Sequence, residues 1–192
     1  MTKNRLEAFS DGVIAIIITI MVLELTIPHE ASLFALEPLI PKFISYLLSF
    51  VYLGIYWNNH HHMLQAVKYV DGRILWANLH LLFWLSLIPF ATGWVGENRF
   101  APWPVAIYGL VLLLAAIAYF ILSRALIYLH GKESAIATAV GGDFKGKLSI
   151  ILYVTAIILA FLNSWLACLI YVAVAIIWLV PDRRIEKVIG PK

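Results

Sequence analysis

Hydrophobic residues form six long runs along the chain, and short polar segments separate most of them. The runs cover roughly residues 5–27, 41–60, 74–94, 104–129, 143–163 and 164–180. An α-helix needs about 20 apolar residues to cross the hydrocarbon core of a bilayer. The pattern therefore predicts an all-α integral membrane protein with six transmembrane helices, built as a single domain over residues 1–192.

The fifth and sixth runs form one apolar stretch that is broken only at Asn163 and Ser164. A single helix over residues 148–180 would be about 50 Å long, whereas the hydrocarbon core is about 30 Å thick. Two helices joined by a tight turn at Asn163 and Ser164 fit the bilayer better. The sequence therefore favours six spans over five.

The distribution of basic residues supports the same choice. With six spans and a cytoplasmic N-terminus, twelve of the 14 Lys and Arg residues lie on the inside, and only Lys42 and Arg99 lie outside. Cytoplasmic loops carry an excess of Lys and Arg, and five spans would move the basic C-terminal segment outside. We therefore expect a multi-pass protein of the plasma (inner) membrane with both termini in the cytoplasm.

Composition narrows the possible functions. The chain is 62% hydrophobic and 13% charged, which is too apolar for a soluble domain of this size. Its net charge of +3 is not gathered in a dense basic cluster, so no nucleic-acid partner is expected. The single cysteine, Cys168, excludes an internal disulfide and a cysteine-based metal site.

Asp11 is the most unusual residue of the first run. A carboxylate at the centre of a membrane helix costs about 2.5–3.5 kcal/mol on insertion scales and less near an interface, and such residues usually mark a pathway or a buried pair. Arg5 lies six residues earlier and so on a different face of the helix. We therefore expect Asp11 to find its partner on another helix.

The first run also has a continuous apolar face. Helical spacing places the following residues on it: Gly12, Ile16, Thr19, Ile20, Leu23 and Ile27. In an ordinary membrane helix, such a face packs against neighbouring helices. The nearby Asp11 makes a functional role for this helix the stronger interpretation.

A second polar cluster lies at the end of the second run and the start of the third. It contains Trp57, three consecutive histidines (His60, His61 and His62), Asn78 and His80. By the topology above, these residues and Asp11 all lie near the cytoplasmic side, so they can meet. The alternative is a wet interfacial loop whose histidines reach toward water.

The histidines do not form a recognisable metal site. Consecutive helical residues point about 100° apart, so His60, His61 and His62 do not converge on one ion. Only His60 with Asp11 and His80 could do so, and no metal-binding spacing supports that set. We expect no metal, no cofactor and no enzymatic activity.

Two transport mechanisms remain. One is a channel; the other is a proton-coupled secondary transporter that uses Asp11 and the histidines 60–62 as a relay. The transporter hypothesis is weaker because the two halves of the chain lack paired broken helices.

The first run resembles the first-helix signature of the endosomal/lysosomal potassium channel family (transmembrane protein 175) and its prokaryotic relatives. The matching residues are Arg5, Phe9, Ser10, Asp11, Gly12, Val13, Ala15 and Ile16, followed by Thr19 and Leu23. Later blocks are also similar, at Trp57, His60 and His61, at Trp76, Asn78 and Leu79, and from Ser86 to Phe90. The second half of the chain is similar only as apolar helices.

The resemblance implies a homotetrameric potassium channel with one six-helix unit per chain, because prokaryotic relatives assemble in this way. The first helix of each subunit would line the pore. Ile16 would form the constriction, and Thr19, Ile20 and Leu23 would line the pore beyond it. The following residues match the network that anchors the pore helix: Arg5, Phe9, Ser10, Asp11, Trp57, His60, His61 and Asn78.

Such a pore differs from one with a carbonyl filter, because the sequence lacks a Thr-Val-Gly-Tyr-Gly motif. A ring of Ile16 side chains cannot coordinate potassium ions, so it would act by dewetting or by sieving. We therefore expect a modest preference for potassium over sodium.

Overall fold

The computed structural model describes residues 2–141 and 144–179, and in these ranges it is built from helices and turns. Eight α-helices follow one another, and two short 3₁₀ segments, Met21–Glu24 and Leu33–Leu39, lie between the first and the second. The helices are α1 (Lys3–Ile20), α2 (Ile40–Gln65), α3 (Gly72–Ser86), α4 (Ile88–Glu97), α5 (Pro102–His130), α6 (Ala135–Val140), α7 (Phe144–Leu159) and α8 (Ser164–Leu179). The predicted all-α class is confirmed.

Four helical segments are long and apolar enough to cross a membrane within the described part of the chain. They are Lys3–Glu24, Leu33–Gln65, Gly72–Glu97 and Pro102–His130. Helices α7 and α8 have 16 described residues each, which is short of a full span. Six spans therefore remain a prediction, and the outer limits expected at residues 143 and 180 lie outside the described residues.

Local sequence explains where the helices begin and end. The Asp71 carboxylate accepts a hydrogen bond from the backbone N–H of Ile74 at 3.0 Å and caps α3. Pro89 lies in the first turn of α4, where a proline N–H is not needed, so one span divides into α3 and α4 at Leu87. Asn163 accepts a hydrogen bond from the N–H of Trp165 at 3.0 Å, and α8 begins there after a turn that follows α7.

Helix α5 forms the centre of the subunit and packs along α3, α4 and α7. Gly109 permits one close approach, because a Cβ atom there would overlap the hydroxyl of Tyr171 on α8. That hydroxyl donates a hydrogen bond to the carbonyl of Val105 at 3.1 Å. Helix α1 lies elsewhere, against α2, α3 and α4.

A buried polar bridge links three helices. The Thr92 hydroxyl of α4 lies 2.6 Å from Ser49 Oγ of α2, which lies 3.0 Å from the hydroxyl of Tyr108 on α5. All three side chains are buried. Because the bilayer offers no competing water, these hydroxyls must bond to one another or to the backbone.

Candidate functional site

Helix α1 has two sharply different faces in the subunit. One face is buried against α2, α3 and α4, and its residues recur at helical spacing: Leu6, Ser10, Ile14, Ile17 and Met21. The opposite face is exposed along most of the helix. Within residues 2–141 and 144–179, only one side of α1 is therefore covered by its own chain.

The exposed face is the one that sequence periodicity selected. Ile16 is 61% exposed and Leu23 is 76% exposed, and Gly12, Thr19 and Ile20 are exposed beside them. The four predicted pore residues (Ile16, Thr19, Ile20 and Leu23) thus share one uncovered surface. The contribution of that surface to a pore stays a prediction.

Thr19 presents an oxygen atom on this surface. Its hydroxyl lies 3.0 Å from the carbonyl of Ala15 and 2.9 Å from that of Ile16, and it donates its proton to the helix backbone. The lone pairs of the hydroxyl oxygen remain able to accept. Thr19 can therefore offer an oxygen contact to a cation, whereas the neighbouring isoleucines cannot.

The buried face is fixed by a chain of hydrogen bonds between three helices. Ser10 donates to the carbonyl of Leu6 at 2.8 Å and accepts from Asn78 Nδ2 on α3 at 2.9 Å. Asn78 Oδ1 lies 2.7 Å from His60 Nε2 on α2. All three polar side chains are buried. Since Asn78 Oδ1 can only accept, His60 must carry a proton on Nε2.

Two further contacts join α1 to α2 beside this chain. Trp57 Nε1 donates to Asp11 Oδ1 at 3.1 Å, and His61 Nδ1 lies 2.9 Å from Glu7 Oε1. Glu7 and Asp11 are one turn apart on α1, as Trp57 and His61 are on α2. The two antiparallel helices therefore meet through two consecutive polar pairs, and Asp11 has its partner on another helix.

Sequence reasoning missed two residues of this cluster. Glu7 pairs with His61, and Gln65 Nε2 lies 2.7 Å from His61 Nε2. The spacing held a signal for both. Glu7 lies four residues before Asp11, and Gln65 lies four residues after His61, so each shares a helical face with a residue already selected.

The structure does not bring every predicted anchoring residue into the network. Phe9 is 47% exposed on the free side of α1. Arg5 is also exposed, and it makes no hydrogen bond or ion pair with the described residues of its own subunit. A polar partner of Arg5 must therefore come from outside the described residues of the subunit.

His80 is exposed and lies outside this network. His80 accepts a hydrogen bond from Trp84 Nε1 on its own helix at 2.9 Å. Across residues 2–141 and 144–179, no group of three His, Cys, Asp or Glu side chains could hold a metal ion. The set of Asp11, His60 and His80 does not converge.

Comparison with known proteins identifies this arrangement. A sequence model described as "Endosomal/lysosomal potassium channel TMEM175" matches residues 5–89, the part of the chain that contains α1, α2, α3 and the polar cluster. A potassium channel of Chryseobacterium sp. (strain P1-3) is 57% identical over 187 residues, which is 97% of each chain. The chain belongs to the TMEM175 potassium channel family.

A solved structure agrees with the family assignment. The crystal structure of a lysosomal potassium-selective channel TMEM175 homolog from Chamaesiphon minutus superposes with a TM-score of 0.80 at 29% identity. The alignment covers 95% of this chain and 97% of that one. The TMEM175 fold thus extends through the second half of the chain, where the sequence resemblance was weakest.

More distant relatives carry a different description. The endosomal/lysosomal proton channel TMEM175 of Gallus gallus is 31% identical over 103 residues, which is 47% of this chain and 21% of that protein. The matched relatives are channels, and this TMEM175-family chain is not an enzyme.

Proposed function

We propose that four copies of this chain form a leak-type potassium channel whose pore is lined by the exposed face of α1. The observation that carries the proposal is the asymmetry of α1, which is anchored by polar contacts on one side and uncovered and apolar on the other. A pore helix needs that asymmetry, because its inner face must remain free for the permeating ion. The potassium-channel descriptions of the bacterial relatives support the choice of ion.

The narrowest point of the proposed pore is a ring of four Ile16 side chains. Ile16 is strongly exposed and lies about two turns beyond the anchored Ser10, so four copies can approach one axis. An apolar ring impedes ions by excluding water and by the cost of removing their hydration shell. The constriction would therefore control flux more strongly than it discriminates between cations.

Thr19 supplies the next ring, about 4.5 Å further along the helix. Its hydroxyl proton is committed to the backbone, so the oxygen can face a partly hydrated cation. Four hydroxyl oxygens are a weaker coordination shell than stacked carbonyl rings. This predicts a modest preference for potassium over sodium.

The polar cluster would hold the pore helix in position. Ser10 and Asp11 bond to α3 and α2 behind the pore face, and neither side chain points along the surface that contains Ile16. The carboxylate of Asp11 would thus orient α1 rather than coordinate the permeating ion. The proton-coupled transporter is not favoured, because the curated bacterial relatives are named potassium channels.

Flux through Ile16→Asn tests the proposal. The variant and the unmodified protein are reconstituted in liposomes, and potassium and sodium currents are recorded without ATP or a counter-ion gradient. An amide ring would wet the constriction, so we expect the potassium current to rise by about tenfold, equivalent to about 1.4 kcal/mol off the barrier. A change in the potassium-to-sodium permeability ratio is expected as well.

Ile158→Asn is the matched control, because Ile158 on α7 is also an isoleucine that is 61% exposed. It should leave conductance and selectivity unchanged. If Ile16→Asn and Ile158→Asn behave alike, Ile16 is not the constriction. Saturable, pH-driven solute uptake without channel openings would refute the channel itself.

A further inference from the structure

A cleft lies between α2, α5, α7 and α8, and none of its lining residues belongs to α1. Its walls are largely aromatic, with the following rings: Tyr52, Tyr56, Tyr119, Phe120, Tyr153 and Trp178. Between these rings, Ile55, Ala116 and Ile150 also line the cleft and are only partly buried. The cleft therefore reaches the surface of the subunit.

Several polar groups around the cleft already have hydrogen-bond partners. The Tyr52 hydroxyl donates to the carbonyl of Tyr171 at 2.6 Å, and Trp178 Nε1 donates to Ser149 Oγ at 2.9 Å. The Tyr119 hydroxyl lies 3.4 Å from the carbonyl of Asn59. The walls thus present ring faces and aliphatic groups, which suit an apolar occupant rather than a polar solute.

Positive charge lies at one end of the cleft. The Arg124 guanidinium lies 5.0 Å from the ring centroid of Phe120, which is part of the wall. Lys147 is exposed and follows Gly146, another lining residue. Asn59 also lines the cleft at this end, and the next residue, His60, belongs to the polar cluster that anchors α1. An apolar cleft with a basic rim has the two features that bind a lipid tail and an anionic headgroup.

We propose that the cleft binds one acyl chain of an anionic phospholipid, whose phosphate contacts Arg124 and Lys147. The site takes its lipid from the leaflet on the side of the α1 anchor, which the predicted topology makes the cytoplasmic leaflet. The chain would lie against the aromatic walls of α2, α5, α7 and α8. The bound lipid would brace α7 and α8 against the centre of the subunit.

Native mass spectrometry of the full-length protein tests the proposal. Phosphatidylglycerol and phosphatidylcholine with identical acyl chains are titrated separately, and bound lipid is counted for each subunit. We expect one tightly bound phosphatidylglycerol and at least about fivefold weaker phosphatidylcholine binding. The attraction between one Lys or Arg side chain and an anionic headgroup corresponds to about a fivefold change in affinity.

Two sets of variants locate the site. Arg124→Gln and Lys147→Gln should each weaken phosphatidylglycerol binding by about fivefold, whereas Arg99→Gln in the α4–α5 turn should not. Ala116→Phe should fill the cleft and reduce the binding of both lipids. Leu110→Phe, at an exposed α5 residue outside the lining, is its control.

Two results would overturn the proposal. Equal affinity for the two lipids would remove the role of charge. Unchanged phosphatidylglycerol binding in both Arg124→Gln and Ala116→Phe would place the lipid elsewhere. Because binding is measured without ion flux, a protein that binds lipid here and passes no potassium would refute the proposed channel and leave this site intact.

Discussion

Helices α1 and α5 both belong to segments that are long and apolar enough to cross a membrane, but α5 is more deeply buried in its own subunit than α1 is. In the apolar stretch of α5, 50% of the residues are buried within the chain, against 28% in the segment Lys3–Glu24 that contains α1. Helix α5 finds partners in α3, α4 and α7, and close approach there depends on small residues such as Gly109. Helix α1 has hydrogen-bonding residues on its covered side, and its other side is largely uncovered by the described part of the chain.

This difference distinguishes apolar surface that packs within the subunit from apolar surface that remains available for function. In α5, packing against α3, α4 and α7 accounts for the buried half of the hydrophobic residues, whereas Leu110 and Ile121 are exposed. In α1, burial accounts for Ile14 and Ile17 but not for Ile16 or Leu23. Those exposed residues need lipid or other subunits beside them, and the polar anchor indicates that the position of this face matters.

The largest expected effect comes from a glycine of α5. Gly109→Ala would push the new methyl group into the Tyr171 hydroxyl and disturb its hydrogen bond to Val105. We expect a loss of about 3 kcal/mol in the free energy of unfolding, measured by denaturation in detergent.

Gly12→Ala is the counterpart on α1. Apart from the adjoining residues and backbone of α1 itself, no described atom lies within 4 Å of the added Cβ, and alanine favours a helix over glycine, so subunit stability should not fall. A tetramer that dissociates in Gly12→Ala would show that the α1 helices approach closely. Equal destabilisation by the two glycine variants would break the contrast between α1 and α5.

A medium effect is expected in the buried chain of hydrogen bonds. Asn78→Ala leaves Ser10 without its donor and His60 Nε2 without its acceptor, both in buried positions. The expected loss is about 2 kcal/mol in the free energy of unfolding. Asn98→Ala is the control, because the Asn98 side chain is exposed and, among the described residues, bonds only to the nearby carbonyl of Trp94. Similar losses of unfolding free energy in both variants would show that the buried hydrogen bonds stabilise the subunit no more than the exposed one does.

The smallest effect is expected at the exposed pair of Asp11 and Trp57. Trp57→Phe removes the indole donor, and we expect tetramer formation to weaken by about fivefold, or about 1 kcal/mol, while ion selectivity is unchanged. Asp11→Asn keeps the acceptor oxygen but removes the charge, so it should affect assembly or gating more than selectivity.

Arg5→Ala completes the test of the anchor. Arg5 is exposed and has no partner among the described residues of the subunit, so an assembly defect in this variant would point to a contact with a neighbouring subunit. The oligomer distribution, measured by crosslinking, and the potassium-to-sodium permeability ratio report on these three variants. A variant with normal tetramers and a selectivity defect would contradict the anchoring role.

Helical periodicity and the free-energy cost of a carboxylate in lipid predicted the features that depend on a single helix. The exposed face of α1 follows from spacing, and the need for a partner to Asp11 follows from the cost of a carboxylate in lipid. Contacts that depend on the register between helices could not be predicted in this way. The pair of Glu7 and His61 is one example. The four-residue spacing placed Glu7 on the same helical face as Asp11, but it did not show that Glu7 meets His61.

The bridge of Ser49, Thr92 and Tyr108 shows a second limit of the sequence. Each of these residues stands alone in an apolar run, and a serine or threonine can also satisfy its hydroxyl with the backbone of its own helix. Only the packing of α2, α4 and α5 reveals that the three hydroxyls meet. Span counting was limited too, because the short described lengths of α7 and α8 leave the fifth and sixth spans as predictions.

The hydrogen bond between Ser10 and Asn78 also affects the order of events during synthesis. The two residues are 68 positions apart, so at about 5–20 residues per second the ribosome needs about 3–14 s to supply the partner of Ser10. Trp57 follows Asp11 after 46 positions. The first helix must therefore wait at the membrane with its carboxylate unpaired. Asp11 lies midway along α1, so until Trp57 emerges the helix carries the insertion cost of a carboxylate without a protein partner.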